Sequence, residues 1–110
     1  MNQRQEQINQ LIKNQLGQLI NQEVELPPET LVTITKVKTS PDNKTSKIFI
    51  SVIPANHRGS TLEILRKNKI KLHNLLKQNL KTKFTPNLNF IIDEQEIYAS
   101  QIDKLLDEIN

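Results

Sequence analysis

The chain has 110 residues, 35% of them hydrophobic and only 4% aromatic, with no Cys and a net charge of +3. That length supports one hydrophobic core, and the low apolar share requires most of it to lie on regular faces. The lack of Cys excludes disulfides, thiolate metal sites and cysteine nucleophiles, and no apolar run approaches the roughly 18 residues of a membrane-spanning helix.

The charge is unevenly spread. Residues 1–30 carry −2, residues 31–57 carry +3, residues 58–83 carry +7 and residues 84–110 carry −5. The middle of the chain is thus a basic block, and basic blocks attract polyanions. The N-terminal residues contain neither an apolar signal core nor an Arg/Ser-rich leader, which predicts a cytoplasmic address, or the matrix of an organelle if a leader was trimmed away.

In chain order, Ile8, Leu11, Ile12, Leu16, Leu19 and Ile20 recur at spacings of three and four and predict a helix. Gly17 within it costs roughly 1 kcal/mol, and Pro27-Pro28 ends any continuation. Leu31–Val37 and Lys47–Ile53 are rich in β-branched residues and predict two strands. Ser40-Pro41-Asp42-Asn43 between them suits a type I turn and closes a hairpin. After a loop containing His57, Ser60 and Glu63 have the spacing of a capping box. The helical region it opens places Leu62, Leu65, Leu72, Leu75, Leu76 and Leu80 on one side. Lys69 interrupts that stripe, next to Asn68, a poor helix former that tolerates left-handed angles. The expectation is one kinked helix or two short ones, broken at Asn68-Lys69-Ile70. Pro86 stops the region, and Asn87–Ile92 reads as a third strand. Asp93 and Glu96 then offer a second cap to a last helix bearing Tyr98, Ile102, Leu105, Leu106 and Ile109.

The resulting order, α-β-β-α-kink-α-β-α, predicts an α+β domain in which a three-stranded sheet carries its helices on one face. The two-helix connection before the last strand is a crossover, for which the right-handed form is the default.

This order and its motifs resemble the ribosome-binding factor A family. The resemblance is carried by Val32–Lys38 running into Ser40-Pro41-Asp42, by Lys47–Val52, by Leu80–Phe90 with Asp93 close behind, and by Ile102–Leu106. It implies a KH-like fold of type II over residues 1–110. It also implies a non-enzymatic assembly factor that binds the free small ribosomal subunit and its rRNA transiently and aids rRNA processing. The family has an Ala-x-Gly kink between its middle helices, where this chain has Asn68-Lys69-Ile70. A family Arg just after the kink is His73 here, and Glu25–Glu29 stands where an Asp-Pro-Arg element is expected.

The candidate RNA-binding residues are therefore Arg66, Lys67, Lys69, Lys71, His73, Lys77, Lys81 and Lys83, around a kink at Asn68, Lys69 and Ile70. A run of basic residues on a helix is ordinarily a solvated face, and the resemblance is what favours contact. Without interleaved aromatics the stripe is unsuited to base stacking, so the expected target is folded RNA read by shape and phosphate contacts. Lys36, Lys38, Lys44 and Lys47 are weaker candidates, equally explained as charges that protect strand edges. His57 and His73 have no ligand-spaced neighbours, and two glycines form no phosphate-cradling loop. No catalytic residue, metal, cofactor, membrane or small-molecule substrate is expected, and a monomer is. A second reading makes the protein an interaction module, or a generic basic RNA-binding domain, that uses its acidic last helix to hold a partner.

Overall fold

The computed structural model describes residues 3–80 and 85–95. Helix α1 (Gln3–Glu23) precedes a hairpin of β1 (Leu31–Thr39) and β2 (Thr45–Ile53). A 3-10 turn (Ala55–His57) then leads into α2 (Arg58–Lys67), α3 (Lys69–Asn79) and β3 (Asn87–Ile92). The sheet order is β1-β2-β3, with β1 antiparallel and β3 parallel to the central β2. A parallel neighbour requires the chain to return along the sheet before pairing. Here α2 and α3 make that return. The backbone turns helical again at Glu94 and Gln95. The rest of the expected last helix, with Tyr98, Ile102, Leu105, Leu106 and Ile109, lies outside the described residues.

The helices share one face of the sheet. Ile12, Leu16, Leu19 and Ile20 of α1 pack with Leu65 of α2 and with Leu72 and Leu76 of α3 against Ile34, Ile48, Ile50, Leu88 and Phe90 of the sheet. Each such aliphatic side chain is fully or nearly buried, so truncating one to Ala costs about 2–5 kcal/mol. Leu11, on the expected apolar face of α1, is 41% exposed and stays outside the core.

The buried positions of β1 are Val32, Ile34 and Val37, and alternation alone cannot give a step of three. The register supplies the reason. Ile34 pairs with Ile50 but Lys36 pairs with Phe49, so Thr35 is an extra, bulged residue. Its hydroxyl donates to Asp93 Oδ2 at 2.6 Å, and it also lies 3.3 Å from the Phe49 carbonyl. Asp93 is buried, its amide donates to the Ile50 carbonyl at 2.8 Å, and its Oδ1 accepts the Gln95 amide at 3.0 Å. The carboxylate therefore caps the chain leaving β3 while holding the bulge on β1, with β2 between them.

Two local expectations change in detail. Ser60 is not an N-cap: α2 opens earlier, at Arg58, because the 3-10 turn feeds straight into it. Ser60 Oγ donates back to the His57 carbonyl at 3.2 Å from inside the first turn. His57 is a structural loop residue whose Nδ1 lies 2.7 Å from Thr30 Oγ1. The hairpin tip keeps its expected turn bond, from the Asn43 amide to the Ser40 carbonyl at 2.9 Å, and adds a left-handed Asn43 at φ 61°. Asn is among the residues that tolerate this region.

Replacing Thr35 by Val keeps the shape of the bulge and removes one donor from a buried carboxylate. Hydrogen bonds to charged groups contribute about 1.5–3 kcal/mol. T35V should lower the urea midpoint correspondingly with an unchanged m-value, and an unaltered midpoint would refute the clamp. At the hairpin tip, the Ser40 hydroxyl and then the Lys44 amide donate to Asp42 and hold its carboxyl below the ordinary value. A depressed folded pKa means the tip is fully stabilised at neutral pH and loosens as pH falls through that lowered value. The Lys44 amide resonance, followed during acid titration, should move with a midpoint below that of a model Asp peptide.

Candidate nucleic-acid interface

The site is built on the return path. Helix α2 buries Thr61 and Leu65, and α3 buries Leu72 and Leu76. Between them Asn68 leaves helical geometry, at φ −95° and ψ 8°. The ladder is nonetheless carried across, since the Asn68 amide donates to the Ile64 carbonyl at 3.1 Å and the Leu72 amide to the Asn68 carbonyl at 2.9 Å. Asn68 Nδ2 adds a bond to the Ile64 carbonyl at 2.8 Å. The short amide side chain thus gives the Ile64 carbonyl a second donor and ties Asn68 back to α2, which a Gly could not do. The expected break therefore falls on one residue, and Lys69 already begins α3. Because the path bends there, Lys69 is exposed although it lies four residues after buried Leu65 and three before buried Leu72.

The bend and the helical spacing sort the expected basic residues. Lys69, His73 and Lys77 follow one another at four residues along α3, so they form one ridge, and Arg66 stands at its near end before the bend. That ridge runs beside β3, the edge strand. Arg66 Nη2 reaches the Phe90 carbonyl at 3.5 Å. His73 is half-buried, and its Nε2 lies 3.1 Å from the Thr85 carbonyl, to which it donates. Lys69, Ile70 and His73 line a small depression of about 110 Å³ with Asn87 and Leu88. His73 is thus engaged in tying α3 to the chain that enters β3.

Lys67 and Lys71 point elsewhere. Lys67 Nζ lies 3.1 Å from Glu63 Oε1, one turn back on α2. Lys71 Nζ donates to the Glu23 carbonyl at 3.2 Å and sits 3.8 Å from its carboxylate, at the end of α1. Both pairs are exposed, so each contributes little to stability and is broken at little cost. Among the described residues Lys69 and Lys77 have no ion-pair partner. Lys81 and Lys83 lie outside the described residues.

One feature of the ridge escapes the sequence pattern. Ile70, at the start of α3, is 78% exposed, an apolar side chain standing between the bend and the cations. Its departure from the Leu stripe was the available signal. Among the described residues no group of three or more His, Asp or Glu side chains could hold a metal ion. No helix among them is long and apolar enough to cross a membrane.

The order of elements, the helices on one sheet face and the broken helix pair define a KH-like α+β protein with a basic helical ridge. The sequence model of ribosome-binding factor A matches residues 4–106, and the chain belongs to that family. Among curated relatives, the ribosome-binding factor A of Desulforamulus reducens is 33% identical over all of this chain and 92% of its own length. That of Thermodesulfovibrio yellowstonii is 31% identical over 96% of this chain and 90% of its own length. Among solved structures, ribosome-binding factor A of Thermus thermophilus superposes with a TM-score of 0.70 at 18% identity, over 80% of this chain and 93% of that one. A homology model of the Thermus thermophilus factor, as fitted into the cryo-EM map of a complex with the 30S subunit, gives 0.64 at 20% identity, over 74% and 86%.

Replacing Asn68 by Ala removes a side-chain bond of about 1 kcal/mol and gains about 0.5 kcal/mol of helix propensity. Stability should therefore change by less than about 1 kcal/mol. The expected consequence is a continuous helix from α2 into α3, seen as uninterrupted sequential amide NOEs through Lys69. A break that persists in N68A would show that packing, not Asn68, sets the bend.

Proposed function

We propose that this chain is an assembly factor of the small ribosomal subunit. It docks transiently on the free subunit and its rRNA through the α2–α3 ridge, aids rRNA processing, and leaves once the local fold is complete. It works as one domain over residues 1–110, as a monomer in the cytoplasm, without catalysis or a cofactor. The reading extends family membership with one observation: Lys69 and Lys77 stand exposed on the same flank of α3 with no ion-pair partner among the described residues. Such cations favour phosphates, because each contact releases condensed counterions. Arg66 borders the same flank, and Lys67 and Lys71 join by exchanging Glu63 and Glu23 for phosphate. In this reading Lys81 and Lys83, which lie outside the described residues, add further phosphate contacts. His73 positions the ridge and contributes a ring edge, and the bend at Asn68, Lys69 and Ile70 gives the shape that meets folded RNA.

Co-sedimentation with free small subunits across a salt series tests this, with complete ribosomes as the comparison. The wild type should bind free subunits preferentially and weaken as salt rises. Replacing Lys77 by Ala should lower the logarithmic salt slope by about one. Replacing Lys69, Lys77 and Lys81 by Glu should weaken binding sharply with an unchanged circular dichroism spectrum. Undiminished binding of that triple variant at moderate salt would overturn the ridge. Equal binding to complete ribosomes and to unrelated RNA would reduce the protein to a generic basic domain.

A further inference from the structure

Among the described residues nothing covers the face of the sheet turned away from the helices, and the charge of its strands is one-sided. The three strands contain three lysines, Lys36, Lys38 and Lys47, and no acid. All three lysines are exposed. Lys38 and Lys47 are direct partners across the β1–β2 ladder, which brings their Cβ atoms to about 5 Å of each other. Like charges so placed destabilise a sheet. Among the described residues neither has an ion-pair partner that would relieve the cost. Protection of an exposed edge accounts for Lys36 and Lys38, since β1 is an edge strand. It does not account for Lys47, because β2 is paired on both sides.

The surroundings suit an anion. Lys38 and Lys47 line a depression of about 340 Å³ with Ser40, Pro41 and Thr45 at the hairpin end. The acid of that turn, Asp42, stays ionised, and Lys44 two residues on offsets its charge, which leaves Lys38 and Lys47 in excess. Lys36 Nζ lies 4.4 Å from the centre of the Phe49 ring, so that ring is capped by a cation and does not offer a bare stacking surface.

We infer that the open sheet face is a second polyanion-binding surface, which holds the phosphate backbone of an RNA segment between Lys38 and Lys47. It lies on the opposite side of the sheet from the helical layer, so one chain can bridge two RNA segments. The inference rests on RNA being the partner, as proposed above, and extends it from one contact to two. Recognition is through phosphates and is indifferent to base identity.

The test uses the full chain and two short duplex RNAs of unrelated sequence carrying a donor and an acceptor fluorophore. Sedimentation checks that each complex holds one chain. The wild type should saturate at two duplexes per chain and give energy transfer. Lys38→Glu should abolish the transfer and leave one duplex bound. It should also raise Tm by about 1–4 °C, because the like-charge pair becomes an opposite-charge pair. A merely structural lysine pair would move Tm without moving the stoichiometry. Lys69→Glu with Lys77→Glu should also leave one duplex bound, this time lost on adding K38E. Saturation of the wild type at one duplex that the K69E/K77E variant loses would overturn the second surface and leave the ridge standing. Loss of all binding in K38E alone would overturn bridging and the ridge together. If polyglutamate of equal charge displaces the K38E-sensitive duplex at concentrations where an unlabelled duplex does not, the partner of this face is an acidic protein, and the inference falls.

Discussion

The parallel pairing of β3 with β2 is the constraint on which the rest of this structure depends. An antiparallel third strand could follow from a tight turn. A parallel one forces the chain to travel back along the sheet before it pairs. The residues that make this journey must bury an apolar stripe inward, so whatever they carry on their other sides faces outward. In this chain those residues include most of the basic block. The return therefore fixes the address of Arg66, Lys69, His73 and Lys77 beside the β3 edge, and two of them reach carbonyls on or just before that strand.

The ends of the return are held by polar contacts. Asn68 keeps hydrogen bonds on both sides of the bend, which makes it a defined angle and not a frayed joint. Asp93 closes the far end of β3 by accepting the Thr35 hydroxyl from two strands away and the Gln95 amide from the chain that follows. A carboxylate in a site of low exposure requires such donors, because burial otherwise penalises its charge. The same bond fixes the bulge on β1, and the bulge resets which residues of that strand face the core. Lys36 and Lys38 look outward only because Thr35 adds one residue to the count.

The electrostatics follow from what each cation finds nearby. Glu63 and Glu23 sit within reach of Lys67 and Lys71 on the flanks toward solvent and α1. Among the described residues Lys69 and Lys77 on the β3 flank have no ion-pair partner, and neither have the three lysines of the open sheet face, although Glu6 of α1 borders the same depression as Lys36. A modest net charge thus resolves into paired lysines, of which Lys67 stays within α2 and Lys71 reaches α1, and lysines with no ion-pair partner among the described residues.

The sequence by itself determined the element order, because hydrophobic period and turn chemistry are local. The spacing of Ile12, Leu16, Leu19 and Ile20, the β-branched runs of the hairpin and the poor helix former Asn68 can each be read within a few residues. The family resemblance was legible for the same reason, in short strings such as Thr85-Pro86-Asn87-Leu88. Tertiary structure decided what depends on partners distant in sequence. The start of α2 moved to Arg58 because a 3-10 turn, anchored through His57 to Thr30, precedes it. The bulge at Thr35 needed Asp93, 58 residues away, to hold it. The division of the basic stripe came from where Glu23, Phe90 and Thr85 happened to lie, and Lys47 ceased to be an edge charge only once β3 had paired with β2. A residue's type and spacing fix the face on which it lies, but only the packed chain sets which groups stand opposite, and so which charges remain free.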